Sequence, residues 1–128
     1  MELTDAMSLL AKMGLAKPPA AAPTGDNRVI QGLWIGRQIS LNGQLSIRSF
    51  LDHGHEYHLY AYDELDDVPP GTEVKDAGEI MPRDSIFQFH TGSYAMFADT
   101  FRIHLLLRHG GWWCDLDMIC LRPFDLPE

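Results

Sequence analysis

The stretch Gly110–Asp117 reads GGWWCDLD, and the interpretation of the whole chain starts from it. Upstream, the apolar side chains of residues 94–109 recur at helical spacing, and two consecutive glycines are typical of the end of such a helix. The residues Trp112–Asp117 are then predicted to form a strand. A helix that ends in glycine and returns directly to a strand is the repeating unit of α/β folds.

Outward from this stretch, strand-like and helix-like segments alternate along the chain. The pattern predicts strands at Val29–Ile35, Glu56–Tyr62 and Thr72–Lys75, a helix at Asn42–His53 and a helical turn at Asp76–Met81. Single strands separated by helices indicate parallel pairing, because parallel neighbours need crossover connections. The sequence therefore predicts an α/β domain with a mainly parallel sheet.

Residues 1–27 differ from the rest of the chain. Met7, Leu10 and Leu15 have the spacing expected of the apolar stripe of one short helix. The proline- and alanine-rich run at residues 17–25 cannot sustain a helix and is typical of a linker. We therefore place a boundary near Asn27, with a single domain over residues 28–128.

The composition fits one compact domain of an acidic protein. The 128 residues are 45% hydrophobic and carry a net charge of −8, whereas a general nucleic-acid binder needs a surplus of Lys and Arg. The two cysteines are too few for a disulfide-stapled secreted domain. No apolar run reaches the ~20 residues of a membrane helix, and the amino terminus is acidic, unlike a secretory signal. These features predict a cytoplasmic protein with no transmembrane segment and no nucleic-acid partner.

Asp115 and Asp117 are the main candidates for chemistry. On an extended chain, residues at this spacing point to the same side, and like charges side by side repel each other unless a cation lies between them. Carboxylate oxygens suit Mg²⁺ or Mn²⁺, which can bridge to a diphosphate and neutralise the charge of a phosphate leaving group. We predict a metal site at this pair, and the alternative is a pair of solvated loop aspartates.

Three further positions admit both a structural and a functional interpretation. Asp99 and Arg102 lie three residues apart on the predicted helix, so they form either a surface ion pair or a clamp for ligand hydroxyl groups. Trp34 lies near the end of the first predicted strand, where open α/β sheets bind ligands. Its indole either stacks on a planar base or packs in the core, and periodicity alone favours the core.

Histidine and cysteine patterns are weaker signals. His53, His55 and His58 lack a cysteine or a further ligand at the spacing of a zinc site. Cys114 follows His109 closely enough to suggest a thiol nucleophile, but strand alternation turns its side chain away from the aspartates. Cys114 is therefore predicted to be a packed thiol.

Five short pieces occur in a fixed order between residues 29 and 125. They are Ile30–Gly36, Gly54–Tyr60, Lys75–Ala77, Ala98–Arg102 and Gly110–Asp117. No single piece is specific, but the ordered set resembles glycosyltransferase family 32, the group with an Asp-x-Asp sugar-binding region. Its members include capsular polysaccharide enzymes and glucosylating toxin domains.

The resemblance implies a GT-A fold, a Rossmann-like domain that binds a nucleotide-diphosphate sugar as the donor. It implies a divalent metal, usually Mn²⁺ with Mg²⁺ as the alternative, and transfer with retention of the anomeric configuration. Polysaccharide biosynthesis is the expected setting. The acceptor is an unidentified saccharide, lipid or protein.

The resemblance also implies roles for individual residues. Asp115 and Asp117 would be the catalytic, metal-binding pair, with Asp117 acting through the diphosphate and Asp115 also serving the ribose or the sugar. Trp113 stands where the family usually has Tyr, so its larger indole is expected to alter the sugar pocket. The other implied donor-binding residues are Trp34, which would lie against the base, Ile35, and the sugar-holding pair Asp99 and Arg102.

Family members continue well past the Asp-x-Asp strand, whereas this sequence ends at Glu128. We therefore expect a fragment of a longer enzyme, or a short form that transfers little sugar. Uncovered apolar surface and a bare strand edge would favour self-association. The alternatives are a non-catalytic nucleotide-sugar-binding module and a metal-dependent phosphohydrolase, which would need an additional base.

Overall fold

The computed structural model describes residues 21–127. The strands are β1 (Val29–Trp34), β2 (Glu56–Ala61), β3 (Glu73–Asp76) and β4 (Trp112–Trp113), and the helices are α1 (Leu41–Asp52) and α2 (Ala95–His109). Short 3₁₀ turns occur at Gly25–Asn27, Ala77–Glu79 and Arg83–Ser85. The helix predicted between Met7 and Leu15 lies outside the described residues, and the domain boundary near Asn27 stays a prediction.

The four strands form one sheet in the order β3-β2-β1-β4, and all pairings are parallel. β1 pairs with β2 from Val29 opposite Glu56 to Trp34 opposite Ala61. On its other side, β1 pairs with the short β4 through Ile30 and Gln31. The predicted α/β class with a parallel, Rossmann-like sheet is therefore confirmed.

Helix α1 follows β1 and covers one face of the sheet. It begins after Ser40, whose Oγ accepts a hydrogen bond from the Gly43 N–H at 3.0 Å. Ile47 and Phe50 on its buried side join the alternate side chains of β1 and β2 in one apolar cluster. This packing fixes the start of α1 beside the carboxyl end of β1.

Helix α2 covers the opposite face. Its buried stripe is Phe97, Phe101 and Leu105, at a spacing of four residues, and Ala98 is partly buried beside it. Gly110 ends the helix with φ 64°, a left-handed conformation that glycine adopts without strain. Between residues 21 and 127, neither α1 nor α2 has the length and apolar character needed to cross a membrane.

The prediction of a strand over Trp112–Asp117 is wrong beyond Trp113. The chain turns at Asp115, whose carbonyl accepts a hydrogen bond from the Met118 N–H at 3.1 Å. The reason is Leu116, which turns inward and fills the space above Gly32, where a Cβ would lie 2.8 Å from its Cδ1. Burial of this side chain takes the backbone out of the sheet before the aspartates.

Candidate functional site

An open cavity of about 370 Å³ lies at the carboxyl ends of β1 and β4. The strand order reverses at this point, because β1 has β2 on one side and β4 on the other, and open parallel sheets bind ligands there. The cavity, called here the aspartate cavity, is lined by Leu33, Trp34, Ser40, Asn42, Ala98, Trp113, Asp115, Leu116 and Asp117. It brings together four predicted site residues: Trp34, Trp113, Asp115 and Asp117.

The Asp115 carboxylate is held by its neighbour two residues earlier. Trp113 Nε1 donates a hydrogen bond to Asp115 Oδ1 at 3.0 Å, and the Trp113 ring packs against Phe101 of α2 at a centroid distance of 6.2 Å. The Cys114 N–H donates to the Gln31 carbonyl at 3.0 Å. The backbone before Asp115 is therefore tied to β1, and its side chain is oriented by an indole that is itself packed.

Asp115 and Asp117 are exposed on a turn, so the argument from an extended chain does not apply to them. Within residues 21–127, no Lys, Arg or His side chain forms an ion pair with either carboxylate. Two such carboxylates suit a hard divalent ion that completes its shell with phosphate oxygens and water. The pair therefore fits the Mn²⁺ or Mg²⁺ that the sequence predicts.

Trp34 lies both in the core and at the aspartate cavity, and its contact with a base stays a prediction. Its ring packs against the apolar cluster under α1 and also lines the aspartate cavity. Its Nε1 is buried and has no hydrogen-bond partner. The core thus holds the ring at the cavity wall.

The remaining predicted residues lie beside the cavity rather than in its lining. Ile35 follows β1 and packs on the face under α2. Arg102 Nη2 lies 3.5 Å from Asp99 Oδ1, and these side chains are 42% and 60% exposed. Ala98, one residue before Asp99 and four before Arg102 on α2, does line the cavity.

Sequence reasoning missed the contribution of α1 to the cavity. Ser40 and Asn42, at the start of α1, are among its lining residues. The amino end of a helix carries a partial positive charge and favours anions. The available signal was Ser40 itself, a good N-cap residue before a helical pattern.

Sequence reasoning also missed a second group of ionisable side chains, at the amino ends of the strands. His58 Nε2 lies 3.2 Å from carboxylate oxygens of both Glu56 and Glu73, and all three ligand atoms lie within 4.8 Å of one another. Arg28 pairs with Glu56, and Lys75 Nζ lies 3.2 Å from Glu73. We call these five residues the amino-end network.

The other histidines and the cysteine of the motif have structural contacts. His53 Nδ1 lies 2.7 Å from the Ser49 carbonyl on its own helix, and His55 Nε2 accepts a hydrogen bond from the Phe124 N–H at 3.2 Å. These histidines therefore do not converge with the network. Burial raises the pKa of Cys114 to about 11, which keeps the thiol protonated near neutral pH and agrees with a packed rather than a nucleophilic cysteine.

Comparison with known proteins identifies a family for most of the chain. A family model described as a glycosyltransferase sugar-binding region containing a DXD motif matches residues 40–128, more than half of the chain. The matched range includes Asp99, Arg102, Asp115 and Asp117. No curated protein and no solved structure matches the chain.

Proposed function

Because the chain belongs to the DXD-containing family of glycosyltransferase sugar-binding regions, we propose that it is the donor-binding part of a metal-dependent glycosyltransferase of the family 32 type. It takes a nucleotide-diphosphate sugar and passes the sugar to a saccharide, lipid or protein acceptor. The observation that carries the proposal is the aspartate cavity, where Trp34, Asp115 and Asp117 meet at the switch point of a parallel sheet. Polysaccharide biosynthesis is the proposed setting.

Asp115 and Asp117 hold the divalent ion, Mn²⁺ or Mg²⁺, that accompanies the donor. When bound, the ion neutralises the charge that develops on the departing diphosphate. The hydrogen bond from Trp113 fixes one of the two carboxylates before the ion arrives, which reduces the ordering cost of binding. The first turn of α1, with Ser40 and Asn42 at the cavity, adds partial positive charge toward the same phosphates.

Trp34 presents its ring to the nucleotide base. An indole held by a core on one side and open to a cavity on the other offers a rigid stacking surface. Ile35 supports this end of β1 from the face under α2. Together they place the base at the end of the strand, with the diphosphate directed toward the aspartates.

Asp99 and Arg102 bind hydroxyl groups of the donor sugar. Their 3.5 Å ion pair lies on α2 beside Ala98 at the cavity wall, so a sugar projecting from the diphosphate toward α2 meets both charges. Holding the sugar in one orientation contributes through proximity, since the acceptor then approaches a fixed anomeric carbon. Transfer with retention of configuration follows the family resemblance.

Transfer is favoured over hydrolysis by the cavity lining. A phosphohydrolase that used the aspartates for metal would need a further base to activate water, and among residues 21–127 no His, Glu or Lys lines the aspartate cavity. A non-catalytic donor-binding module would use the same cavity, and a measurement of turnover distinguishes such a module from an active transferase.

Self-association and a cytoplasmic location stay predictions. Leu107 on α2 and Leu121 near the carboxyl end are 82% and 85% exposed. Exposed apolar side chains of this kind support contact between copies or with other protein surface.

Metal binding is tested by titration calorimetry, in which Mn²⁺ is added to protein saturated with uridine diphosphate. A second titration uses protein saturated with guanosine diphosphate. Asp117→Ala removes one of the two carboxylates and is expected to abolish Mn²⁺ binding. Asp125→Ala removes an equally exposed carboxylate outside the cavity and should bind like the wild type. Equal Mn²⁺ affinity in wild type and Asp117→Ala would contradict the proposal.

The reaction is tested by release of uridine diphosphate from uridine-diphosphate sugars, with and without a panel of acceptors. Release that needs both Mn²⁺ and an acceptor supports transfer. Equal release without any acceptor identifies a hydrolase. Mn²⁺-dependent binding without release identifies a non-catalytic module.

A further inference from the structure

Within residues 21–127, the buried polar side chains are Gln31, Ser46 and His55, which are 2%, 0% and 4% exposed. All three hydrogen-bond to the backbone of one segment, residues 110–124, which carries both aspartates. We call it the aspartate segment. Buried polar groups are costly unless they are paired. Gln31 and Ser46 are paired with this stretch, and His55 is paired both with it and, through Nδ1, with the Arg28 carbonyl at 3.3 Å.

Gln31 holds the segment ahead of the aspartates. Its Nε2 donates to the Gly110 carbonyl at 2.7 Å, and its backbone carbonyl accepts from the Cys114 N–H at 3.0 Å. The fit leaves no room for a side chain at Gly111, where a Cβ would lie 2.9 Å from Gln31 Nε2. One residue of β1 therefore ties the chain both before β4 and directly before Asp115.

Ser46 holds the segment immediately after the aspartates. Its Oγ donates to the Met118 carbonyl at 2.6 Å, across from helix α1. One turn further along α1, Ser49 Oγ accepts from the Cys120 N–H at 2.8 Å. His55 secures the far end of the segment through Phe124, at 3.2 Å.

The sheet alone cannot supply this restraint. β4 has only two residues, so the backbone from Cys114 onward leaves the ladder and needs other partners for its polar groups. We propose that Gln31 and Ser46 are positioning residues, which hold the backbone on both sides of the aspartates so that Asp115 and Asp117 keep the geometry for a divalent ion. The inference rests on the proposed function. In other metal proteins, residues that hydrogen-bond to the metal ligands keep those ligands in place. The inference gives a comparable role to Ser46 of α1 and Gln31 of β1, through the backbone.

The experiment uses Ser46→Ala, the smaller change, and Gln31→Met as a second variant. The control is Ile80→Val, which trims a buried side chain in the other apolar cluster. For each protein we would measure Mn²⁺ affinity in saturating uridine diphosphate, the thermal midpoint, and amide hydrogen exchange at residues 114–118. Removing a residue that holds a metal ligand in place typically weakens metal binding by about tenfold or more. We expect the same weakening of Mn²⁺ binding in Ser46→Ala and Gln31→Met. Amide exchange at residues 114–118 should accelerate in the same two variants. Ile80→Val should lower the thermal midpoint but leave both the Mn²⁺ affinity and the exchange at residues 114–118 unchanged.

Unchanged Mn²⁺ affinity in Ser46→Ala and Gln31→Met overturns the inference, and so does equal weakening in Ile80→Val, which would mean general destabilisation. If the wild type does not bind Mn²⁺ with uridine diphosphate, the proposed function fails instead. In that case, amide exchange is the measurement that tests whether Gln31 and Ser46 hold the backbone in place. Faster exchange confined to Ser46→Ala and Gln31→Met supports it, and exchange equal to that of the control refutes it.

Discussion

The two ends of the sheet carry carboxylates in opposite states of pairing. At the amino end, Glu56 and Glu73 lie between His58 and the cations Arg28 and Lys75. At the carboxyl end, the two aspartates of the aspartate cavity have no ion-pair partner among residues 21–127. The carboxylates at the amino end are paired with cations, whereas those at the carboxyl end leave their negative charge unpaired at a cavity.

The difference bears on which end of the sheet binds a metal ion, and we propose the carboxyl end. A divalent ion entering the amino-end network meets Glu56 already paired with Arg28 and Glu73 already paired with Lys75, and these two positive charges oppose its binding. An ion entering at Asp115 and Asp117 displaces no cation and relieves repulsion between like charges. The proposal therefore predicts that charge left without a partner is a better guide to the metal site than the number of nearby acidic and imidazole groups.

The largest expected effect comes from the floor of the aspartate cavity. At Gly32, a Cβ would lie 2.6 Å from Tyr57 Oη and 2.8 Å from Leu116 Cδ1. Gly32→Ala should therefore lower the free energy of unfolding by ~1–3 kcal/mol, as overpacking does, and displace Leu116 from between the aspartates. Urea denaturation checks the first effect, and calorimetry with Mn²⁺ and uridine diphosphate checks loss of metal binding.

Gly78→Ala is the matched control for this substitution. It adds the same methyl group beside β3, where the nearest atom is a carboxylate oxygen of Asp76 at 3.0 Å. A carboxylate can rotate away, so stability should change less and metal binding should stay as in the wild type. If Gly32→Ala bound Mn²⁺ normally, the packing of Leu116 would not set the aspartate geometry.

The next effect concerns the sugar. If Asp99 binds sugar hydroxyls, Asp99→Asn should weaken binding of a uridine-diphosphate sugar by about ten- to a hundredfold, since a lost charged hydrogen-bond partner costs ~1.5–3 kcal/mol. Bare uridine diphosphate should bind almost as before. Asp84→Asn, at an exposed position in a 3₁₀ turn, is the control for general charge. Equal weakening of both ligands in Asp99→Asn would mean that its pair with Arg102 only supports α2.

A smaller effect is expected from pH through His55. Burial lowers the pKa of His55 in the folded protein from its ordinary 6.5, so the folded state favours the neutral ring, whose Nε2 accepts from Phe124. The stabilisation is complete above pH 6.5 and is lost as the pH falls below it, because the unfolded chain gains the proton first. Urea denaturation at pH 7.5 and 5.5 should show this loss in the wild type.

His55→Gln, which does not titrate, should lose less stability on acidification than the wild type. Burial also lowers the pKa of His58, so part of the pH dependence should remain in this variant. His90→Gln, at an exposed position, is the control and should follow the wild type. Identical pH dependence in His55→Gln and wild type would show that the tie to Phe124 does not depend on ring protonation.

Much of the fold could be predicted because its signals are local. The ends of β1 and α1 are given by turn and cap residues, and the observed elements differ by about one residue from those expected. The end of β4 could not be predicted in this way. It depends on Leu116 packing over Gly32, a contact between positions far apart in the chain.

The same reasoning separates what was and was not predictable at the site. Trp34 ends β1 and the two aspartates follow β4. Because the carboxyl ends of parallel strands meet at one edge, their convergence could be expected. The roles of Gln31 and Ser46 could not, since they depend on which backbone carbonyl lies opposite a buried side chain. The amino-end network depends on the register that pairs His58 with Glu73.

The smallest expected effect is at the amino-end network, and it tests the comparison most directly. Glu73 is charge-paired with Lys75 and lies 3.2 Å from His58 Nε2, and the network shares no residue with the aspartate cavity. Glu73→Gln and His58→Gln should therefore leave the affinity for Mn²⁺ with uridine diphosphate within about twofold of the wild type, because screening weakens interactions between separated exposed charges. Calorimetry with Mn²⁺ alone, and with Zn²⁺ alone, extends the test to metal bound without nucleotide. If the wild type bound Mn²⁺ or Zn²⁺ without nucleotide and both variants did not, the network would bind a metal despite its cations. The pairing of charges would then no longer distinguish the two ends of the sheet.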